Sequence, residues 1–281
     1  MEQLLKVGID ASGHKDQLMD RPFVATAVIA DNDAVNAAYG KFLSNVSREK
    51  VLLKSGILLP AWLKRYGEIH AKDVIGGKEA WSIGEETRAD VLRHFYTSIE
   101  DLGMRIICVF IDMKRSRLQE EWKNLKAELP ATPENYPVLP TVSALIGRLF
   151  KEVERSDGRD GFMFLFDDDY LVNLFRKNVN INDRFAAGKY HTYSLQNRVI
   201  GAYKAFSELE YVIQIADMSA YLFARRIMSD RKYVKKLVNS DIILPEAEKL
   251  EKLFKSRIAS INGRVKGVGW VEIDRIWKGG I

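Results

Sequence analysis

The sequence predicts an α/β protein whose mixed sheet is flanked by helices. Three observations carry that expectation. Short apolar runs, 4–9, 104–111 and 162–166, each end on an aspartate: Asp10, Asp112 and Asp167. Segments with apolar residues at helical spacing separate those runs, as expected for strands in a covered sheet. A further run, FVATAVIA, follows the first across a turn, which is the order of a hairpin. With 281 residues, 47% of them hydrophobic, the chain can bury the core of one large domain, or of one domain with an appendage.

Taken in order, LLKVGIDASG reads as a buried strand that delivers Asp10 to its C-terminal edge. Side chains alternate along a strand, so Val7 and Ile9 point to one side and Gly8 and Asp10 to the other. Ala11, Ser12 and Gly13 leave space for a ligand, metal or backbone to approach Asp10. The plainer alternative is an aspartate that caps a loop. After the hairpin, Asp31, Asn32 and Asp33 offer N-caps for a helix with Val35, Tyr39, Phe42 and Val46 on its apolar stripe. Residues 51–66, interrupted by Pro60, read as an irregular approach to GEIHAKD, a strand or loop that holds Glu68, His70 and Asp73.

Ser82 and Glu85 have the spacing of a capping box for a helix from about Gly84 to Leu102, stopped by Gly103. The strand ending at Asp112 follows, then a charged helix over 114–128. LPATPENYPVLP holds four of the seven prolines and is expected to be a loop or flap. Helical spacing returns over 141–155, and FMFLF then runs into Asp167, Asp168 and Asp169. Residues 190–195 suit a short strand. Residues 212–228 read as one strong helix that carries Asp217 among small neighbours. The rest reads as basic helix divided by Pro245, followed by a Gly-rich tail.

The net charge of +5 is unevenly spread. Residues 225–266 hold twelve Lys or Arg against five acids, a surplus of seven, so the remaining residues carry −2. Such a quarter suits a phosphate-rich partner, or else is a solvated helical face. The single Cys108 excludes a disulfide framework and a cysteine-based zinc site. The four histidines are too scattered for a zinc site. No apolar run is long enough to span a bilayer and the N-terminus carries no signal pattern, so a cytoplasmic location is expected.

Two strands that end in aspartates, a Glu/His motif and an aspartate on a late helix are four carboxylate sources far apart in the chain. Strand ends of an α/β sheet gather at one edge, where ligands tend to bind. Carboxylates are hard oxygen ligands suited to Mg²⁺ or Mn²⁺, and two such ions can clamp the attacking and leaving oxygens of a phosphodiester displacement.

The order IDASG, GEIHAKD, FDDD and QIADMSAYLFARR resembles the bacterial and phage domain-of-unknown-function family 3800, over roughly Val7 to Arg226. That family has an "IDESG" start, an "E-h-H/K" motif and an "LQxAD" helix. It is assigned an RNase H-like fold and is regarded as one of metal-dependent nucleases. The resemblance implies an RNase H-like domain over 1–228; the basic residues beyond it, 229–281, are expected to form a mainly helical extension packed on that domain. It implies metal ligation by Asp10, Glu68, Asp167 and Asp217, with Asp10 bridging two ions, and nucleic acid, DNA or RNA, as partner. His70 would serve proton transfer or phosphate contact, the alternative being a surface histidine bonded within a loop. The chain departs from the pattern at Ala11, where the family has Glu, and the aspartate run leaves the third acid open between Asp167 and Asp168.

Two other readings compete. GIDASGHK resembles the first phosphate loop of acetate- and sugar-kinase-like ATPases, but the corresponding second loop is FDDDY, whose charge repels phosphate unless metal intervenes. A noncatalytic nucleic-acid-binding module would use the basic quarter alone. Asp112, followed closely by Lys114 and Arg115, is expected to be structural.

Overall fold

A computed structural model of the chain describes residues 3–13, 20–66, 69–130, 138–155, 160–167, 171–173, 199–205 and 210–275. Apolar alternation makes β1 (Gln3–Ser12) and β2 (Phe23–Asp31), which pair antiparallel with Gly8 opposite Val28 and Asp10 opposite Thr26. β3 (Arg105–Ile111) runs antiparallel to β2. On the other side of β1, β4 (Asp160–Phe166) is parallel to it, and β5 (Val199–Lys204) is parallel to β4. β6 (Trp270–Ile273) adds parallel to β3, which gives the order β5-β4-β1-β2-β3-β6. Every strand except β2 points the same way, so five carboxyl ends share one edge.

The helices are α1 (Asn32–Arg48), α2 (Leu59–Tyr66), α3 (Ala71–Gly76), α4 (Glu85–Ile99), α5 (Ser116–Glu128), α6 (Val138–Arg155), α7 (Tyr211–Asp230) and α8 (Leu244–Ser256). The two-residue period of the strands divides the core. Val7, Ile9, Ala25, Ala27, Val109 and Phe164 face α5 and α6 in one cluster. Val24, Val28, Ile106 and Phe110 face the other way, into a cluster with α1, α4, α7 and α8. No helix among the described residues is long and apolar enough to cross a membrane.

Several local expectations are corrected. The first residue of α4 is Glu85, and its N-cap is Gly84 without a side-chain cap, so Ser82 makes no capping box. That helix ends at Ile99 rather than Leu102, and α5 begins at Ser116 rather than Lys114. Residues 59–66 are helix, not irregular chain, because Pro60 falls in the first turn, where its missing N–H is harmless. Pro140 is likewise inside the first turn of α6. In GEIHAKD, Ala71 onward is helix rather than strand or loop. Asp31 does cap α1, its carboxylate accepting the Ala34 N–H at 2.8 Å.

The segment after Met228 is not mainly helical. Beyond Asp230 its described residues, to 275, contain one thirteen-residue helix, α8, and the strand β6, with turns between Asp230 and Leu244. It is also woven into the fold: β6 lengthens the sheet, and Leu250 and Phe254 of α8 are fully buried. Residues 190–195 lie outside the described residues, as do 131–137 of the proline-rich segment.

Candidate acidic site

β1 places Asp10 on the same face as Gly8, and Gly8 explains how α7 reaches it. A Cβ built on Gly8 would lie 2.4 Å from the Val212 carbonyl oxygen, so only glycine lets the helix backbone touch the strand. Lys6 reinforces the contact by pairing with Glu210 at 2.7 Å, just before α7. One turn further along, the buried Thr26 hydroxyl donates to the Ala216 carbonyl at 2.9 Å, and Ser219 Oγ lies 2.9 Å from the same oxygen. These bonds hold α7 in register over β1 and β2, directly beside Asp217.

The result is a meeting of carboxylates. Asp10 and Asp217 share a side-chain hydrogen bond, and Asp167, which follows β4 next to β1, adds its charge to the same place. Burial, the most important cause, and the negative neighbours Asp217 and Asp167 push the Asp10 carboxyl well above the usual carboxylate range. The Ala11 N–H opposes the shift only in part. Like charge this close disfavours the ionised form of Asp10 and favours a cation beside it.

Asp217 is further held from the side of α3. Its Oδ2 accepts the Ala71 N–H at 2.8 Å, and His70 Nδ1 lies 3.8 Å from the same oxygen. The other end of α3 is anchored by Arg88 of α4, whose Nη1 donates to the carbonyls of Val74 and Ile75. Gly77 closes the helix at φ +63 with the guanidinium packed against it. Asp73 faces the same region, and its carboxyl is raised first by burial and then by Glu79 and Asp217, against the lowering effect of His70 and Lys72.

Of the residues expected at the site, Asp10 and Asp217 therefore meet, His70 lies beside Asp217, and Asp167 is near enough for its charge to reach Asp10. Glu68 and Asp168 lie outside the described residues. Among the described residues, no group of three or more His, Cys, Asp or Glu is arranged to hold a metal ion. Thr26, Gly8, Asp73 and Arg88 were not singled out in the sequence as parts of the site. A glycine two residues before a strand-end aspartate is the one signal that points to such a close approach.

Asp112, at the same edge beyond β3, has a different role. It is fully buried and accepts from Arg231, from the Tyr233 hydroxyl at 3.0 Å and from the Lys114 N–H at 3.2 Å. Arg231 and Arg115 also pair with Glu272 at 2.7 Å each. A hollow of about 320 Å³ beside this network is lined by Arg115, Arg117, Leu118 and Asp274. Its arginines are already engaged by Glu272 and Glu121. Much of the basic quarter is used in the same way. Arg226 and Lys255 hold Glu251, Lys249 holds Glu246, Lys236 holds Asp241, and Arg257 donates to the Glu100 carbonyl.

Neither a family model, nor a curated protein, nor a solved structure matches the chain.

Proposed function

We propose that the chain is a nuclease that hydrolyses phosphodiester bonds of DNA or RNA with Mg²⁺ or Mn²⁺, on an RNase H-like domain acting in the cytoplasm. The observation that carries this reading is the shared hydrogen bond between Asp10 and Asp217, two acids from distant elements, with Asp167 near enough for its charge to reach Asp10. A mixed sheet flanked by helices is compatible with the RNase H-like expectation.

The donor chemistry suits a hard divalent cation: these are oxygen ligands, and a dication held by Asp10 and Asp217 would offset the like charge that raises the Asp10 carboxyl. Asp10 and Asp217 would be the primary ligands, and Asp167 and Glu68, which the resemblance adds, would complete the set. When bound, such ions polarise the phosphoryl oxygen and lower the pKa of an attacking water. The chain supplies the rest. Thr26 and the Ala71 N–H keep Asp217 aimed at Asp10, so the acids are positioned before substrate arrives. His70, 46% exposed and 3.8 Å from Asp217, would move a proton or touch a phosphate.

The test is incubation with labelled DNA, RNA and DNA–RNA hybrid in Mn²⁺ or in EDTA, with Asp10→Ala as control. Cleavage is expected only with Mn²⁺, and at least about 100-fold slower in the variant, since a lost ligand removes several kcal/mol of stabilisation. Equal cleavage by both proteins rejects the assignment. Binding of nucleic acid without cleavage leaves the noncatalytic module as the reading.

A further inference from the structure

α7 is buried along nearly its whole length, and the exceptions are ordered. Between Tyr211 and Ala224 the residues that are not buried are Asp217 and Tyr221, and Arg225 continues the series. Their spacing of four residues places them on one face, a stripe about 12 Å long leading away from the acids. The Tyr221 ring packs on the core. The charged groups whose fields reach its hydroxyl are Arg225 and Arg21, which favour its ionisation, and Asp217 and Asp73, which oppose it. Arg21 is exposed, in the turn before β2, and Arg225 is held on the stripe by its Nε bond to the Leu237 carbonyl at 3.0 Å. The surface therefore passes from Asp217 past Tyr221 to Arg225, with Arg21 near enough for its charge to reach the Tyr221 hydroxyl.

Clustered carboxylates repel a polyanion, so a nuclease of this design needs positive charge close by to hold the strand. We infer that this stripe is the substrate track: Arg225 and Arg21 grip the phosphates that flank the bond lying at the acids, and Tyr221 supports the adjoining sugar or base. Guanidinium groups suit phosphate oxygens through paired N–H donors, and an aromatic ring supports a base without regard to its identity. The track would thus favour nucleic acid over free nucleotide while reading little sequence.

This inference rests on the nuclease reading, and the experiment separates the two. Fluorescence anisotropy of labelled single-stranded DNA and RNA oligonucleotides in EDTA, where no cleavage is expected, reads binding alone. Arg21→Ala and Arg225→Ala should each weaken binding about tenfold and flatten the salt dependence by about 0.7 in log–log slope. Lys123→Ala, on α5 across the sheet, should change neither. Thermal melting checks that each variant is folded, and Arg225→Lys, which keeps the charge, should retain more affinity than Arg225→Ala. Wild-type affinity and slope in folded Arg21→Ala and Arg225→Ala would overturn the track, even if Mn²⁺-dependent cleavage is intact. Loss of binding in both variants, with a wild type that never cleaves, keeps the track and removes the nuclease.

Discussion

At Asp10, burial and like charge act together. Its carboxyl is raised in the folded protein, whereas in the unfolded chain it titrates near the usual value of about 3.9. Between those two pH values the folded state holds the extra proton, so stability falls as pH rises, and the loss is complete above the folded value. Asp10→Asn keeps the shape and removes the charge. In metal-free buffer at neutral pH it should therefore melt higher than the wild type, on the order of 2–4 °C for about 1 kcal/mol, with the gap closing as pH approaches 4. Added Mn²⁺ should raise the wild-type melting temperature and leave the variant's nearly unchanged. A wild type that melts above the variant in EDTA at neutral pH would contradict the crowding of carboxylates seen at Asp10.

At the scale of elements, the site depends on three contacts that bring helices to the sheet. α7 reaches Asp10 because Gly8 allows backbone-to-backbone approach, and its register comes from Thr26 and Ser219 at the Ala216 carbonyl. α3 reaches Asp217 through the Ala71 N–H while Arg88 ties down its far end. Tyr211, at the head of α7, packs against Phe42 and Phe95 and bonds with Ser98, which docks the helix on α1 and α4. Gly8→Ala tests the first contact. Its methyl would press on the Val212 carbonyl and carbon, both backbone atoms that cannot swing aside. Chemical denaturation should show a loss of about 1–3 kcal/mol or more, with metal affinity falling as well. Unchanged stability would mean that α7 does not sit on β1 at this distance.

For the molecule as a whole, the C-terminal segment is structural before it is anything else. β6 completes the sheet, α8 fills the core, and Arg231 neutralises the buried Asp112 together with Glu272. Arg231→Met strands a buried carboxylate and should cost about 3–5 kcal/mol. The double variant with Asp112→Asn should recover much of that loss in urea denaturation. Additive losses would show that the two side chains do not act as a pair.

By itself the sequence determined the strand-and-helix character of the chain, the face on which Asp10 lies and the late helix that carries Asp217. Those features follow from local periodicity, two residues in strands and 3.6 in helices, which each segment displays on its own. It did not reveal β6, whose four residues are only half-buried and lie in Gly-rich sequence, nor the helix that follows His70, which is six residues long. The joining of Asp10, Asp167 and Asp217 was decided by tertiary structure alone. It depends on which strand lies beside β1 and how closely one helix can cross it, and residues more than 150 positions from Asp10 leave no periodic trace of their approach to it in a single chain.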